Sequence, residues 1–357
     1  MNILTADDVM TKIKQGGVIE KVTLQGISLV GQNLSGGQFR EVDFSDADFS
    51  HAILKETVFT ECLLEETVFN SAICEKTLFE QCHMIRAMFN EATVNNSMFT
   101  QCVLKKTQFK ATKQNSTQFS SCHLQYADFI ESEFDRVTFI NSTLDYAILR
   151  NCHCFLVTFF RQDLRETDFY ASRFIKTVFF ECDQRNQNYQ NMQFQECQFT
   201  DNQLDAVNFN HAKLTNCSFK GSTLHNAQLS NVNATQALFI NADLTRACCH
   251  NSLFNEAIFI DACLEWADFR QSQLQQAIMQ KVRAVNAQFV NCDMTYADLS
   301  YSNFNQSDFR TAHFMRTLFH RTQQVGALFS DRQGILENDP ELFAAEEWSI
   351  KQRQYKI

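Results

Sequence analysis

Residues 47–71 read ADFSH AILKE TVFTE CLLEE TVFNS, five pentapeptides with one pattern: a small residue, a variable one, Phe or Leu, then two variable ones. Outward from this stretch the frame holds from Val22 to Asp331. Large apolar residues recur five apart at Leu24, Leu29, Leu34, Phe39, Phe44 and onward to Phe329, with a few smaller or polar substitutes and no insertion or slip. A fixed internal period outranks every other signal in a sequence, because the repeat dictates the whole fold. A helix sets apolar residues at i, i+3 and i+4, and a half-buried strand alternates them, so a period of five fits neither. It requires a backbone that turns a corner every fifth residue.

The segments Ala127-Asp128-Phe129, Ala242-Asp243-Leu244, Ala267-Asp268-Phe269 and Ala297-Asp298-Leu299 carry the same frame. They resemble the A(D/N)LXX signature of the pentapeptide-repeat family, and the resemblance spans most of the chain. It implies an all-β solenoid: a right-handed quadrilateral parallel β-helix with four pentads per coil, the central Phe/Leu and the small residue two before it pointing inward. The array then amounts to about 15 coils, built as one quasi-one-dimensional repeat body. The expected division is a capping helix over 1–16, the β-helix over 17–331 and a helical cap over 332–357.

At the front, Thr5 and Asp8 approximate a capping box, Asp7 and Asp8 suit the positive helix end, Lys12 and Lys14 suit the negative one, and Gly16 closes the helix. Val9 and Ile13 share one face, fit to cover the first coil and hide an unpaired strand edge. At the far end, Asp339-Pro340-Glu341 reads as N-cap, N1 and an acidic first turn of a helix running to about Gln354. Leu342, Ala345 and Trp348 are expected to pack on the last coil. That helix serves either as a plug or as a docking or dimerisation element presenting Leu342 and Trp348.

Along the array, central positions ending in 9 are mostly Phe, while those ending in 4 favour Leu, Met or smaller groups. Ten residues make half a coil, so the two Phe columns should face each other and fill the interior. Gln114, Gln184, Ala234, Ala284 and Gln324 interrupt the columns; they are not one coil apart and assemble no site.

The fourteen cysteines invite a disulfide or metal reading. Cys62, Cys82, Cys102 and Cys122 recur one coil apart, yet all occupy the small-residue slot, as do Cys152, Cys182, Cys197, Cys217 and Cys292, where cysteine behaves as a small buried hydrophobe. In Cys152-His153-Cys154 the frame sends both cysteines inward and the histidine outward, so the three cannot converge on a tetrahedral ion. His83 and His123 share an outer column two coils, roughly 10 Å, apart. No metal, cofactor or catalytic site is expected, since acid/base work needs groups converging in a pocket, and the chain reads as a non-enzyme.

What is left is surface. One wall carries an apolar exterior: Val58, Leu78 and Met98, then Ile140, Phe160, Val178 and Phe180, then Leu238, Ile240, Ile258, Ile260 and Ile278. Such a wall is either a partner-binding face or the natural preference of half-exposed strands for branched residues. The net charge of −10 disfavours nucleic-acid binding. The family includes gyrase-binding proteins that imitate duplex DNA with acidic walls, but the outer column Asp48, Val68, Met88, Gln108, Asp128, Ile148, Asp168 is no acidic ladder. The amphipathic N-terminal helix leading into Phe-rich pentads is similar to pentapeptide-repeat proteins associated with bacterial type VI secretion. The resemblance therefore implies a protein-binding scaffold or adaptor, with a DNA mimic acting on gyrase or topoisomerase and a secreted effector scaffold as alternatives. The start MNILTADDVM lacks the form of a secretory signal and no run approaches a membrane span, so a cytoplasmic location is expected, with secretion lacking a cleaved signal left open. The partner protein is unidentified, and a homodimer through the C-terminal helix is open.

Overall fold

The computed structural model describes residues 4–354; Met1–Ile3 and Tyr355–Ile357, the outermost parts of the two expected caps, lie outside the described residues. The chain forms two compact units, one of Met1–Gln187 with Met192–Gln198, the other of Asn188–Asn191 with Phe199–Ile357. Both are parallel β-solenoid, about 16 turns in all. The inward column starts at Ile19, one pentad before Leu24 and inside the expected 17–331: Ile19 is fully buried, and its strand Val18–Glu20 pairs in parallel with Gln38–Arg40.

In the first unit every pairing joins residues 20 apart, as in Val58↔Leu78 and Leu78↔Met98. Twenty residues per coil and a corner every five give four walls. The corners lie in the left-handed region: glycines take those at 26, 31 and 36, and non-glycine residues take most of the rest, for example Glu61 at φ 53°, Glu66 at φ 55° and Arg86 at φ 59°. That conformation costs an L-residue about 1–2 kcal/mol, and the coils offset it by bonding most corners to the next coil. Glu61 N donates to Glu80 O at 2.9 Å and Glu66 N to Ile85 O at 3.0 Å. Side chains at these corners point to solvent, which is why bulky charged residues are tolerated there.

The small slot has its own chemistry. Where it holds Ala, the residue closes a tight turn, as in Ala127 N to Leu124 O at 3.0 Å. Where it holds Thr, Ser or Cys, the side chain in most coils donates to the carbonyl of the central residue 23 positions earlier: Thr67 Oγ1 to Phe44 O at 2.9 Å, Ser132 Oγ to Phe109 O at 2.6 Å, Cys152 Sγ to Phe129 O at 3.0 Å; Thr112 instead turns to Phe109 O, three residues back, at 2.9 Å. Most buried hydroxyls and thiols of the slot are thereby satisfied, with Thr177 Oγ1 left without a partner. The four stacked cysteines obey this rule, and each is a free buried thiol.

The interior is filled by rings. Phe59, Phe79 and Phe99 stack at 5.0 and 4.8 Å, Phe69, Phe89 and Phe109 at 4.5 and 5.0 Å, and the two columns meet edge to face, Phe79 against Phe89 at 6.0 Å. Offset stacking along a column with T-shaped contacts across it satisfies the quadrupole of every ring. Gln114 is buried in this core, where its Nε2 donates to Thr112 Oγ1 at 3.0 Å.

At the front, helix α1 (Ala6–Lys14) has the expected capping box between Thr5 and Asp8, and Val9 is fully buried. A side chain at Gly37 would come within 3.2 Å of Ile13 Cδ1 and 2.9 Å of Leu34 O, so glycine is what lets the helix lie down there.

In the second unit the pairing between 203 and 303 consists of single bridges, one per pentad, again 20 apart, such as Leu238↔Ile258 and Ile258↔Ile278. Phe199, Phe219, Phe239 and Phe259 stack at 4.9–5.0 Å through its core. The frame lapses after Asp331, yet Ile335–Leu336 still pairs with Thr317–Leu318, now 18 residues apart. The short coil is possible because Gly334 takes φ 86°, where a Cβ would sit 2.1 Å from Phe314 O.

Helix α2 (Pro340–Gln354) starts where the sequence places it, with Leu342 N donating to Asp339 Oδ1 at 2.9 Å. Its packing face is different from the expected one. Leu342 is 46% exposed, Trp348 65% exposed, and Ala345 is exposed too. The helix is held instead by Phe343, under the Arg321 guanidinium at 4.0 Å, and by Glu346, which meets Tyr301 Oη at 2.5 Å, His320 Nε2 at 3.1 Å and Arg321. Polar anchors won because the outer wall beneath the helix offers Tyr301, His320 and Arg321, whose donors need a carboxylate.

Candidate functional site

The structure gathers the expected partner-binding residues into separate patches. In the first unit, Val58, Leu78 and Met98 form one continuous outer column, with Met98 exposed and the other two half-buried. The next members of that column are Gln118, Thr138 and Thr158. Ile140, Phe160 and Phe180 line the other edge of the same wall, with Phe160 and Phe180 stacked at 5.7 Å, Val178 beside them, and Arg161 over Phe160 at 4.9 Å. The first unit therefore carries two apolar strips parted by polar residues, not one surface.

The second unit is more compact in this respect. Leu238, Ile258 and Ile278 are consecutive in one column, and Ile240 and Ile260 flank them on the adjacent column of the same wall, all half-buried. The patch ends where Gln280 Nε2 donates to Asp298 Oδ2 at 2.6 Å.

Charge is neutralised locally. In the first unit Lys21–Glu41, Lys55–Glu75, Lys76–Glu56, Arg161–Glu181 and Lys176–Glu196 pair one coil apart, at 2.7–3.7 Å. The column Asp48, Val68, Met88, Gln108, Asp128, Ile148, Asp168 is real, each member bridged to the next, and it alternates acids with apolar and neutral residues. His83 and His123 are separated by Val103 in their column.

Cys152 and Cys154 both point into the core and His153 is exposed, so that tripeptide builds no site. Burial pushes the Cys152 thiol up to about 12 and that of Cys154 well above its ordinary value.

Two features lie outside the sequence reading. The first unit has an open depression of about 580 Å³ lined by Lys113, Glu133, Asp135, His153 and Phe155, with Gln114 beneath it. In the second unit, Cys248, His250 and Asp268 bring one ligand atom each within 4.8 Å of one another. Cys248 Sγ lies 3.2 Å from His250 Nδ1, and Ser230 Oγ lies 3.3 Å from the sulfur and 3.0 Å from that nitrogen. The available signal was parity: in Cys248-Cys249-His250 the central residue is Cys249, so its two neighbours face outward and Asp268 follows Cys248 by one coil.

Corner, slot and core recur through the array, so the molecule is a repeat protein in which most of the variation lies on the exterior. The chain belongs to the pentapeptide-repeat family. The family described as pentapeptide repeats (8 copies) matches residues 23–60 and, in overlapping segments, 190–331, and a pentapeptide repeat region matches 72–149. Members of this family are generally structural or interaction proteins. No curated protein sequence matches the chain. Among solved structures it is similar to HetL, a pentapeptide repeat protein involved in heterocyst differentiation regulation from the cyanobacterium Nostoc sp. strain PCC 7120, at 17% identity over 74% of this chain and 96% of that one, TM-score 0.27. It is similar also to QnrB1, a plasmid-mediated fluoroquinolone resistance protein, at 12% identity over 89% and 95%, TM-score 0.25. A third is a pentapeptide repeat protein from the Arabidopsis thaliana thylakoid lumen, at 24% identity over 32% and 70%, TM-score 0.17. Among the described residues no helix is long and apolar enough to cross a membrane.

Proposed function

We propose that the chain is a non-enzymatic protein-interaction scaffold or adaptor whose partner docks on its apolar outer walls. The observation that carries this reading is the patch of Leu238, Ile240, Ile258, Ile260 and Ile278, five aliphatic side chains on adjacent coils held half-buried at a rigid wall. A contiguous apolar surface of this kind usually marks an interface. The strips of Val58, Leu78 and Met98 and of Ile140, Phe160, Val178 and Phe180 are secondary contacts in the same reading. Leu342 and Trp348, left exposed on α2, supply a docking or homodimerisation surface.

The finer form of this reading is a cytoplasmic accessory or adaptor of bacterial type VI secretion, supported by the resemblance of its N-terminal helix and Phe-rich pentads alone; export as an effector scaffold is the variant that a secretion assay separates. A DNA mimic would need uninterrupted acidic columns, and here acids pair with bases one coil away. Changing Ile240, Ile258 and Ile260 to Asp should leave circular dichroism unchanged and abolish co-purification of the partner in pull-down with mass spectrometry. Retained binding would remove the patch from the proposal. Inhibition or drug protection of purified gyrase in a supercoiling assay at micromolar protein would move the reading to the mimic.

A further inference from the structure

Independently of the docking role, the geometry points to a zinc-class divalent metal site on the outer wall of the second unit, formed by Cys248 Sγ, His250 Nδ1 and an Asp268 carboxylate oxygen. Around tetrahedral zinc, bond lengths of about 2.0–2.3 Å place neighbouring N, O and S ligands roughly 3.3–3.8 Å apart. The sulfur and imidazole nitrogen already stand at 3.2 Å, and all three ligand atoms lie within 4.8 Å. Movements of about an ångström would close the site. A thiolate, an imidazole and a carboxylate form the mixed soft and hard set that suits zinc and its neighbours and excludes magnesium or calcium.

The surroundings fit the same purpose. Arg270 holds Asp268 through Nε to Oδ1 at 2.8 Å and Nη2 to Oδ2 at 2.7 Å, and its backbone N adds a bond to Oδ1 at 3.0 Å. Oδ1 thus accepts two donors, while Oδ2 accepts one and keeps a lone pair for metal, so Arg270 orients the ligand and leaves Oδ2 able to bind. Ser230 bonds both the sulfur and the imidazole, and would give up Nδ1 on metal binding. Thiolate and carboxylate together cancel the charge of a divalent ion. Arg270 then leaves the site with one surplus positive charge, and an open depression of about 350 Å³ lies against it, lined by His250, Arg270, Gln271, Val290 and Asn291. The fourth coordination position therefore suits water or a small anion.

Cys248 is the one of the fourteen cysteines that is not buried, which makes the test clean. Reduced, anaerobic protein titrated with Co²⁺ should develop a thiolate-to-cobalt charge-transfer band that saturates at one equivalent and is discharged by Zn²⁺. Cys248→Ser should abolish the band with circular dichroism unchanged, His250→Ala should weaken binding by more than tenfold, and Cys152→Ser should change nothing. Absence of a thiolate band at stoichiometric cobalt, or its survival in Cys248→Ser, overturns the assignment. Should a variant misfold, the wild type decides alone: one equivalent of Zn²⁺ should slow alkylation of Cys248, read by mass spectrometry, at least tenfold, and an unchanged rate refutes the site.

Discussion

Cys152-His153-Cys154 and Cys248-Cys249-His250 contain the same three side chains in a different order, and the structure treats them oppositely. In the first, both sulfurs are buried and the imidazole is alone at the surface; in the second, one sulfur is buried and the other stands beside the imidazole outside. Composition does not separate them. What separates them is their phase in the pentad, because the central position faces the core and its two neighbours face solvent. In a solenoid the question to ask of a motif is which of its residues fall on the outward positions, and only then what chemistry they share.

The harshest way to break that comparison is to place a charge at the two cysteines it contrasts. Cys154→Asp would put an unpaired carboxylate in the ring-filled core of the first unit, at a cost of about 3–5 kcal/mol, the penalty for an uncompensated buried charge. Cys248→Asp faces outward at a half-buried position one coil from Asp268 and should cost about 1 kcal/mol at most. Urea unfolding of the two variants measures the difference, and equal destabilisation would refute the assignment of facing.

A finer substitution separates two positions inside the first tripeptide. Cys152 occupies the small slot and donates to Phe129 O at 3.0 Å, while Ser132 and Ser172, one coil to either side, make the same bond to Phe109 O and Leu149 O. Cys152→Ser should therefore be nearly neutral, within about 0.5 kcal/mol. Cys154 is a central residue surrounded by hydrocarbon, and Cys154→Ser should cost about 1–3 kcal/mol for an unsatisfied hydroxyl. Thermal denaturation of both reports the contrast. Equal effects would mean the slot and the centre are not chemically distinct.

These contrasts also show what could be read from the chain beforehand. The period of five gave the corners, the inward columns and the burial of the stacked cysteines, because steric demand at the centre of a coil repeats identically every 20 residues. The capping box at Thr5 and the N-cap at Asp339 were equally local and equally legible. What could not be read depends on side chains meeting across coils. Cys248 and Asp268 are 20 residues apart and attract attention only once the outward columns are laid side by side. The face of α2 is a similar case: Leu342 and Trp348 looked like the packing residues because they are apolar, yet the wall they approach is lined by Tyr301, His320 and Arg321, and it selected Phe343 and Glu346 instead.

That last substitution of a polar anchor for an apolar one gives the mildest test of the inside and outside rule, since it predicts that acid should loosen α2 while the ring-filled core stays intact. The Tyr301 hydroxyl, helped by His320 and Arg321, holds the Glu346 carboxyl down to about 2 from an ordinary 4.5. A carboxyl depressed on folding stabilises the docked helix fully above its unfolded value and loses that contribution as pH falls through the folded one. Amide exchange across Phe343–Gln354 should thus accelerate between pH 4.5 and 2, before the coils at Phe239 and Phe259 lose protection. Glu346→Gln should show faster exchange already at neutral pH and a flat response across that window. If wild type and Glu346→Gln exchange alike from pH 7 to pH 2, the carboxylate does not hold the helix, and the apolar residues of α2 must be reassigned to the packing that the sequence first suggested for them.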